Sequence, residues 1–375
     1  MPNSTQPITD QSGPSENANY NLVHRLHAYL TGVGFVTSKS YTGVGTGAPV
    51  LTSGTASTVT ETWTLTCTAT AVDGGTFSVV GSVSGAQANA TVGVNYSNTY
   101  ISFRIDDGAT DFQVGDTFTV GVSAKLTAGL WETVRWSPSG AYEVILKSTG
   151  LSGLEEIYIG FRAYRNVTSD YYNITVAAFS GYTPGNSFDT QPGYTAMSMP
   201  THNTDIPVWI SWNAQRVIVS ARVNTPAYVT LYAGKFFPYA MPSQYPYPVA
   251  VGSMFAANSA TRYSATTYTM PYIGDRATFK IRAPAGAWIQ PKCYPWSQNK
   301  LSDDEYIRDT NGQYALVPVV MYDSNGIYGE LDGIYYVSGF NNLAENIAVI
   351  DGKVYVFLLN RNLTGFADYF AMRLD

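Results

Sequence analysis

The groups in this 375-residue chain that could do chemistry are few: three histidines, two cysteines and a scatter of carboxylates. His24 and His27 stand at i, i+3, the spacing that lets two imidazoles share one face of a helix, as a metal pair requires. A third ligand would have to come from His202 or a distant carboxylate, and His-x-x-His alone does not make a metal site. No Ser-His-Asp set assembles around a Gly-x-Ser-x-Gly turn. Gly43-Val44-Gly45-Thr46-Gly47 is rich enough in glycine to cradle a phosphate, but no Lys-Ser/Thr follows. Pro49 and a β-type stretch stand where a helix should begin, so the segment reads as a flexible junction. Cys67 and Cys293 follow no metal spacing and read as buried free thiols rather than a disulfide. Two acids flanking a sugar could come from anywhere in the fold, and no cleft is localised for them. The expectation is a protein without catalytic residues, cofactor or metal.

Composition narrows the class. Charged residues are 13% of the chain, against a usual quarter or so, while Gly, Ser, Thr and the 29 tyrosines are plentiful. Such a chain reads as all-β, with part of its surface covered in an assembly. The net charge of −6, with no cluster of Lys and Arg, excludes a nucleic-acid footprint. No apolar run is long enough to span a bilayer, and the first residues form no secretory signal, so the expectation is a soluble compartment without membrane insertion.

Along the chain, residues 1–17 are polar and carry Pro2, Pro7 and Pro14, as a flexible N-terminal arm would. Leu22, Leu26 and Leu30 recur at a four-residue step, the stripe of one short helix, and Gly32 stands where it should stop. Residues 41–124 shift to Ser, Thr, Gly, Ala and Val. Trp63, Leu65 and Cys67 alternate with threonines there, and Phe77, Val79 and Val83, then Phe103, Ile105, Phe118 and Val120, continue the two-residue period. This is the pattern of a small inserted β-sandwich module. Residues 18–40 and 125–299 read as an antiparallel sandwich or jelly-roll-like main domain that bears the helix. Residues 300–375 read as a C-terminal β segment packing on it. Within that segment Asp303-Asp304-Glu305 is a solvated turn, and Asp351-Gly352 is a two-residue hairpin signal between Ile347–Ile350 and Lys353–Phe357.

The stretch Gly234–Val251 organises the rest. Pro238, Pro242, Pro246 and Pro248 bar it from a helix interior or a central strand. Between the prolines stand Phe236, Phe237, Tyr239, Met241, Tyr245 and Tyr247, rings and a thioether that offer wide contact area at small entropic cost. A loop this apolar needs a cover. We assign these six residues, with Phe370 and Leu374 of the apolar C-terminal stretch, to contacts between subunits. An ordered lid over the domain's own sheet is the alternative.

Several motifs carry a family resemblance. They are Thr60-Glu61-Thr62-Trp63-Thr64-Leu65-Thr66-Cys67, Phe77-Ser78-Val79-Val80-Gly81-Ser82-Val83-Ser84-Gly85 and Asp111-Phe112-Gln113-Val114-Gly115-Asp116-Thr117-Phe118-Thr119-Val120. Tyr171-Tyr172-Asn173, Phe179-Ser180-Gly181-Tyr182, Pro184-Gly185-Asn186-Ser187-Phe188-Asp189, the Pro-Tyr-Pro loop and Glu330-Leu331-Asp332-Gly333-Ile334-Tyr335-Tyr336-Val337-Ser338-Gly339 add to it. Together they resemble virion structural proteins of tailed bacteriophages. The resemblance implies a non-enzymatic subunit of the head–tail neck (collar), the tail or the baseplate. It also implies assembly with its own copies and with other virion proteins, and location in the phage particle. A tail protein that binds host-surface polysaccharide, with or without depolymerase activity, stays open as the alternative.

Overall fold

The computed structural model describes residues 18–33, 36–51, 59–122, 124, 130–137, 140–204, 206–224, 226–256, 270–275, 278–296 and 315–374. The N-terminal arm 1–17 and the acidic turn at 303–305 lie outside them. Among the described residues strands make up 53% and helix 6%, so the chain is all-β, built from antiparallel sheets with one α-helix in that part, α1 (Ala18–Thr31). No helix among the described residues is long and apolar enough to cross a membrane. The chain divides into two compact units. The smaller runs to Glu132 and adds Ser137–Tyr142; the larger contains Thr133–Trp136 and Glu143–Asp375.

In the smaller unit, Leu22, Leu26 and Leu30 of α1 are buried as their spacing predicts. Gly32 ends the helix at φ +74°, a left-handed conformation that spares glycine the usual Cβ clash. The orphan carbonyl of Leu30 accepts from the backbone N–H of Leu130 and of Trp131, both at 3.1 Å. Tyr20 stacks on Tyr142 with ring centroids 3.6 Å apart. A five-stranded sheet follows in the order Val36–Thr42, Thr117–Val122, Glu61–Ala71, Gly74–Gly81, Gly85–Thr91. A second sheet is formed by Ala48–Leu51, Ser102–Asp106 and Tyr96–Ser97. Trp63, Leu65, Cys67, Phe77, Phe103, Ile105 and Phe118 form one core, and a threonine alternates with each of the first three. This small sandwich differs from the expected module in two ways. Val36–Thr42 pairs with Thr117–Val122, so the sheet begins before residue 41, and α1 belongs to this unit rather than to the main domain.

The larger unit holds three sheets. The first runs Phe255–Ala256, Thr195–Pro200, Tyr171–Phe179, Ile157–Asn166, Glu143–Ser148, Glu132–Ser137. The second runs Val208–Trp212, Arg216–Asn224, Ala227–Lys235, Val249–Gly252, Phe279–Arg282, Trp288–Ile289. Tyr171–Phe179 and Thr195–Pro200 pack on Ala227–Lys235 and Val249–Gly252, so these two sheets lie face to face. The third sheet runs Gly274–Asp275, Lys292–Tyr294, Val317–Asp323, Gly326–Tyr336, Tyr369–Arg373, Lys353–Leu359, Ile347–Ile350. Its side chains Met321, Leu331, Ile334, Phe357 and Met372 share a core with Ile218, Tyr232, Ala250 and Ile281 of the second sheet. The second sheet is therefore covered on both faces, which is why Ala227–Lys235 reads as an almost continuous buried run rather than an alternation. Residues 317–373 thus share one sheet with Gly274–Asp275 and Lys292–Tyr294.

A buried ionic knot joins the second and third sheets. Arg216 and Asp332 are both fully buried, with Nε to Oδ2 at 3.2 Å, and Arg373 Nη2 reaches Asp332 Oδ1 at 3.0 Å. Asn213 Nδ2 donates to Asp332 Oδ2 at 2.6 Å, and Arg216 Nη1 donates to Ser211 Oγ at 2.5 Å. Each charge taken alone from water would cost several kcal/mol, so the partners are what make the burial tolerable.

Candidate functional site

The aromatic–proline loop is seated on the larger unit by backbone bonds. Strand Ala227–Lys235 delivers the chain to it, and Phe236 N–H donates to Pro248 O at 2.9 Å, closing the loop at its base. Phe237-Pro238 pairs antiparallel with Gly329-Glu330, and Tyr239 N–H donates to Tyr328 O at 3.1 Å. The approach is so close that a Cβ on Gly329, whose φ is +151°, would stand 2.1 Å from Phe237 O. Gln244 and Tyr245 both donate from their backbone N–H to Met241 O, which turns the loop tip back.

With the backbone fixed in this way, the side chains divide between two faces. Phe236 and Tyr245 point into the core, with no more than 2% of their surface exposed. Their rings meet edge to face at 5.7 Å, and the Tyr245 hydroxyl donates to Arg282 O. Burial pushes the Tyr245 phenol well above its usual range. Phe237, Tyr239, Met241 and Tyr247 point outward, exposed by 39, 57, 64 and 44%. Tyr239 donates to Glu330 Oε2 at 3.1 Å, and Arg282 lies over the Tyr247 ring at 5.3 Å, so two of the four are held in place. Together they expose on the order of 400 Å² of mostly apolar surface, as large as the largest patch on an ordinary monomer.

This corrects half of the predicted contact set. Phe236 and Tyr245 are covered by their own chain and serve as the loop's anchors. Phe370 and Leu374 are buried as well, at 1% and 4% exposure, because Tyr369–Arg373 runs between Gly326–Tyr336 and Lys353–Leu359 inside the third sheet. The prolines erase the two-residue period, so the sequence gives no signal for which loop residue faces which way. The loop combines the lid and contact readings, one on each face.

The residues singled out for chemistry lie elsewhere. The Gly-rich segment is an ordered cradle, not a flexible junction, and its anion is internal. The Asp116 carboxylate accepts from Val44 N–H at 3.0 Å, Gly45 N–H at 2.9 Å, Gln113 N–H at 3.0 Å and the Tyr41 hydroxyl at 2.8 Å. Burial would raise its pKa, but these four donors outweigh burial and hold it at about 2. His27 is buried, and burial, reinforced by neighbouring His24, lowers its pKa to about 4. Among the described residues no third ligand joins the two histidines. The one set of three ligating side chains among the described residues is Asp73, Asp107 and Asp111, whose carboxylate oxygens lie within 4.8 Å of one another. Asp73 N–H donates to Asp111 Oδ1 there at 3.1 Å. Cys67 and Cys293 are buried thiols, neither of them in a disulfide. His202 is engaged locally by Thr204 at 2.9 Å.

What the loop offers is therefore a fixed, partly apolar surface. No protein-family model and no curated protein sequence matches the chain, so this surface is interpreted from its own geometry.

Proposed function

We propose that this protein is a non-enzymatic structural subunit of a tailed-phage particle, part of the head–tail neck (collar) or tail. In this reading the outward face of the aromatic–proline loop is the contact through which it joins copies of itself or other virion proteins. One observation carries the proposal: Phe237, Tyr239, Met241 and Tyr247 are all exposed on a loop whose backbone is already fixed. A preorganised aromatic patch gives up little freedom on binding, which is what an assembly contact requires. Covering about 400 Å² of it releases roughly 10 kcal/mol of gross transfer free energy before the costs of association.

The test is complementation of particle assembly with the triple substitution Phe237→Ser, Tyr239→Ser, Tyr247→Ser. The variant should fold and stay soluble yet fail to enter particles, and normal incorporation would refute the proposal. The exposed rings of Tyr239 and Tyr247 favour one second reading, a tail protein that stacks these rings on host-surface polysaccharide. A glycan array separates the two: sugar binding lost in the Tyr239→Ser, Tyr247→Ser variant supports the second, and no binding to any glycan removes it.

A further inference from the structure

A second surface, on a strand that the loop does not pair with, is an edge to which another strand can add. Ile347–Ile350 is the edge of the third sheet and pairs on one side with Lys353–Leu359. The hairpin between them turns on Asp351 and Gly352, at φ +49° and +72°, so Ile350 and Lys353 form the hydrogen-bonded pair that closes it. Alternation then makes Ala348 and Tyr355 the next such pair and directs the backbone N–H and C=O of Ile347 and Val349 away from the sheet. Among the described residues nothing bonds to those four groups.

Edge strands are normally blunted by charge, proline, a bulge or a cover. One edge of the second sheet, Val208–Trp212, is wholly buried, and one edge of the first, Glu132–Ser137, carries Glu132 and Arg135. Ile347–Ile350 has neither charge nor proline. Ile347 is 54% exposed and Val349 69%, and nearby Leu343 is 70% exposed. These protections are missing along Ile347–Ile350, which also presents apolar side chains.

We propose that this edge pairs with the same edge of a second copy of the chain, antiparallel about a two-fold axis at Ala348. Centring on Ala348 sets Ile347 against the partner's Val349 and Val349 against the partner's Ile347, so all the outward backbone groups meet in hydrogen-bonded pairs. Centring on Ile347 or on Val349 satisfies only that residue. The neutral sequence Asn346-Ile347-Ala348-Val349-Ile350 places no like charges opposite one another in this register. The result is a sheet that continues across the dimer. This contact is independent of the loop face, which remains free for other virion partners.

Sedimentation of the full chain up to about 100 μM, enough to populate a micromolar dimer, tests the pairing. The wild type should dimerise, and Val349→Pro should raise the Kd at least about tenfold. Because the Val349 N–H bonds to nothing among the described residues, Val349→Pro should keep the wild-type circular dichroism and melting temperature. Val349→Lys serves as a second variant should proline disturb the strand. Ala348→Cys should cross-link the dimer under mild oxidation, since the Cβ atoms of a non-hydrogen-bonded pair approach to about 4.5 Å, and Val349→Cys should not. A wild type that stays monomeric, a dimer indifferent to both Val349 substitutions, or cross-linking through position 349 in place of 348 overturns the proposal. A dimer that survives the triple loop substitution but not Val349→Pro shows that the edge, and not the loop, holds it.

Discussion

Replacing Asp116 by Asn tests how much of the smaller unit depends on its internal anion. The carboxylate accepts four hydrogen bonds, three from backbone N–H groups and one from the Tyr41 hydroxyl, while only 4% of its residue surface is exposed. Asn keeps the shape but loses the charge, and it turns an NH2 group toward donors. Losing charge-assisted bonds of this kind costs about 2–3 kcal/mol at neutral pH. The pH dependence has a definite sign. The folded pKa of about 2 lies below the ordinary value of 3.8, so the contribution is complete above pH 4 and is lost as pH falls toward 2. After allowance for screening, that titration carries about 1 kcal/mol.

The two buried thiols provide the assay. Cys67 sits in the core of the smaller unit and Cys293 in that of the larger, so labelling with a pyridyl disulfide, which reacts in acid as well as at neutral pH, reads each unit separately. Asp116→Asn should speed labelling of Cys67 by roughly 30- to 150-fold at pH 7 and leave Cys293 unchanged. The gap from wild type should narrow below pH 4. If Cys67 is labelled no faster, or Cys293 accelerates equally, the cradle does not hold the unit together.

Two further outcomes follow from burial. His27, lowered to about 4 by burial and by His24, binds its proton more readily in the unfolded chain. The stability of α1 should therefore be complete above pH 6.5 and fall by up to about 3 kcal/mol as pH drops to 4. Hydrogen exchange of the α1 peptide, corrected for intrinsic rate, should show this loss, and His27→Gln should flatten it; a wild-type profile that is already flat refutes it. In the loop, Tyr245→Ser should cost about 3–5 kcal/mol in urea unfolding and Tyr247→Ser less than about 1 kcal/mol. Equal costs would mean that the two faces of the loop are wrongly assigned.

What the sequence revealed was local. Trp63, Leu65 and Cys67 alternate with threonines because a half-buried strand demands that period, and Asp351-Gly352 marks a turn because both residues take positive φ. The faces of the loop were hidden because prolines break the period on which such a reading depends. Phe370 and Leu374 were misjudged because an apolar strand has the same composition whether its own sheet or a neighbouring molecule covers it. The glycines of the cradle were visible, but the anion they bind comes from Asp116, distant in the chain, and glycine spacing carries no information about that. The free edge at Ile347–Ile350 also needed the sheet order, since a hairpin signal does not say which strand lies outermost.

The knot of Arg216, Asp332 and Arg373 bears on how the protein is made. At translation rates of about 5–20 residues per second, roughly ten to thirty seconds separate the emergence of Arg216 from that of Arg373. Until Asp332 emerges the nascent second sheet carries a guanidinium without its carboxylate, and until Tyr369–Arg373 follows one of its faces lacks part of its cover. Closure of the larger unit must therefore wait for the strand Tyr369–Arg373 to leave the ribosome. The smaller unit, complete by residue 142, is free to fold well before then.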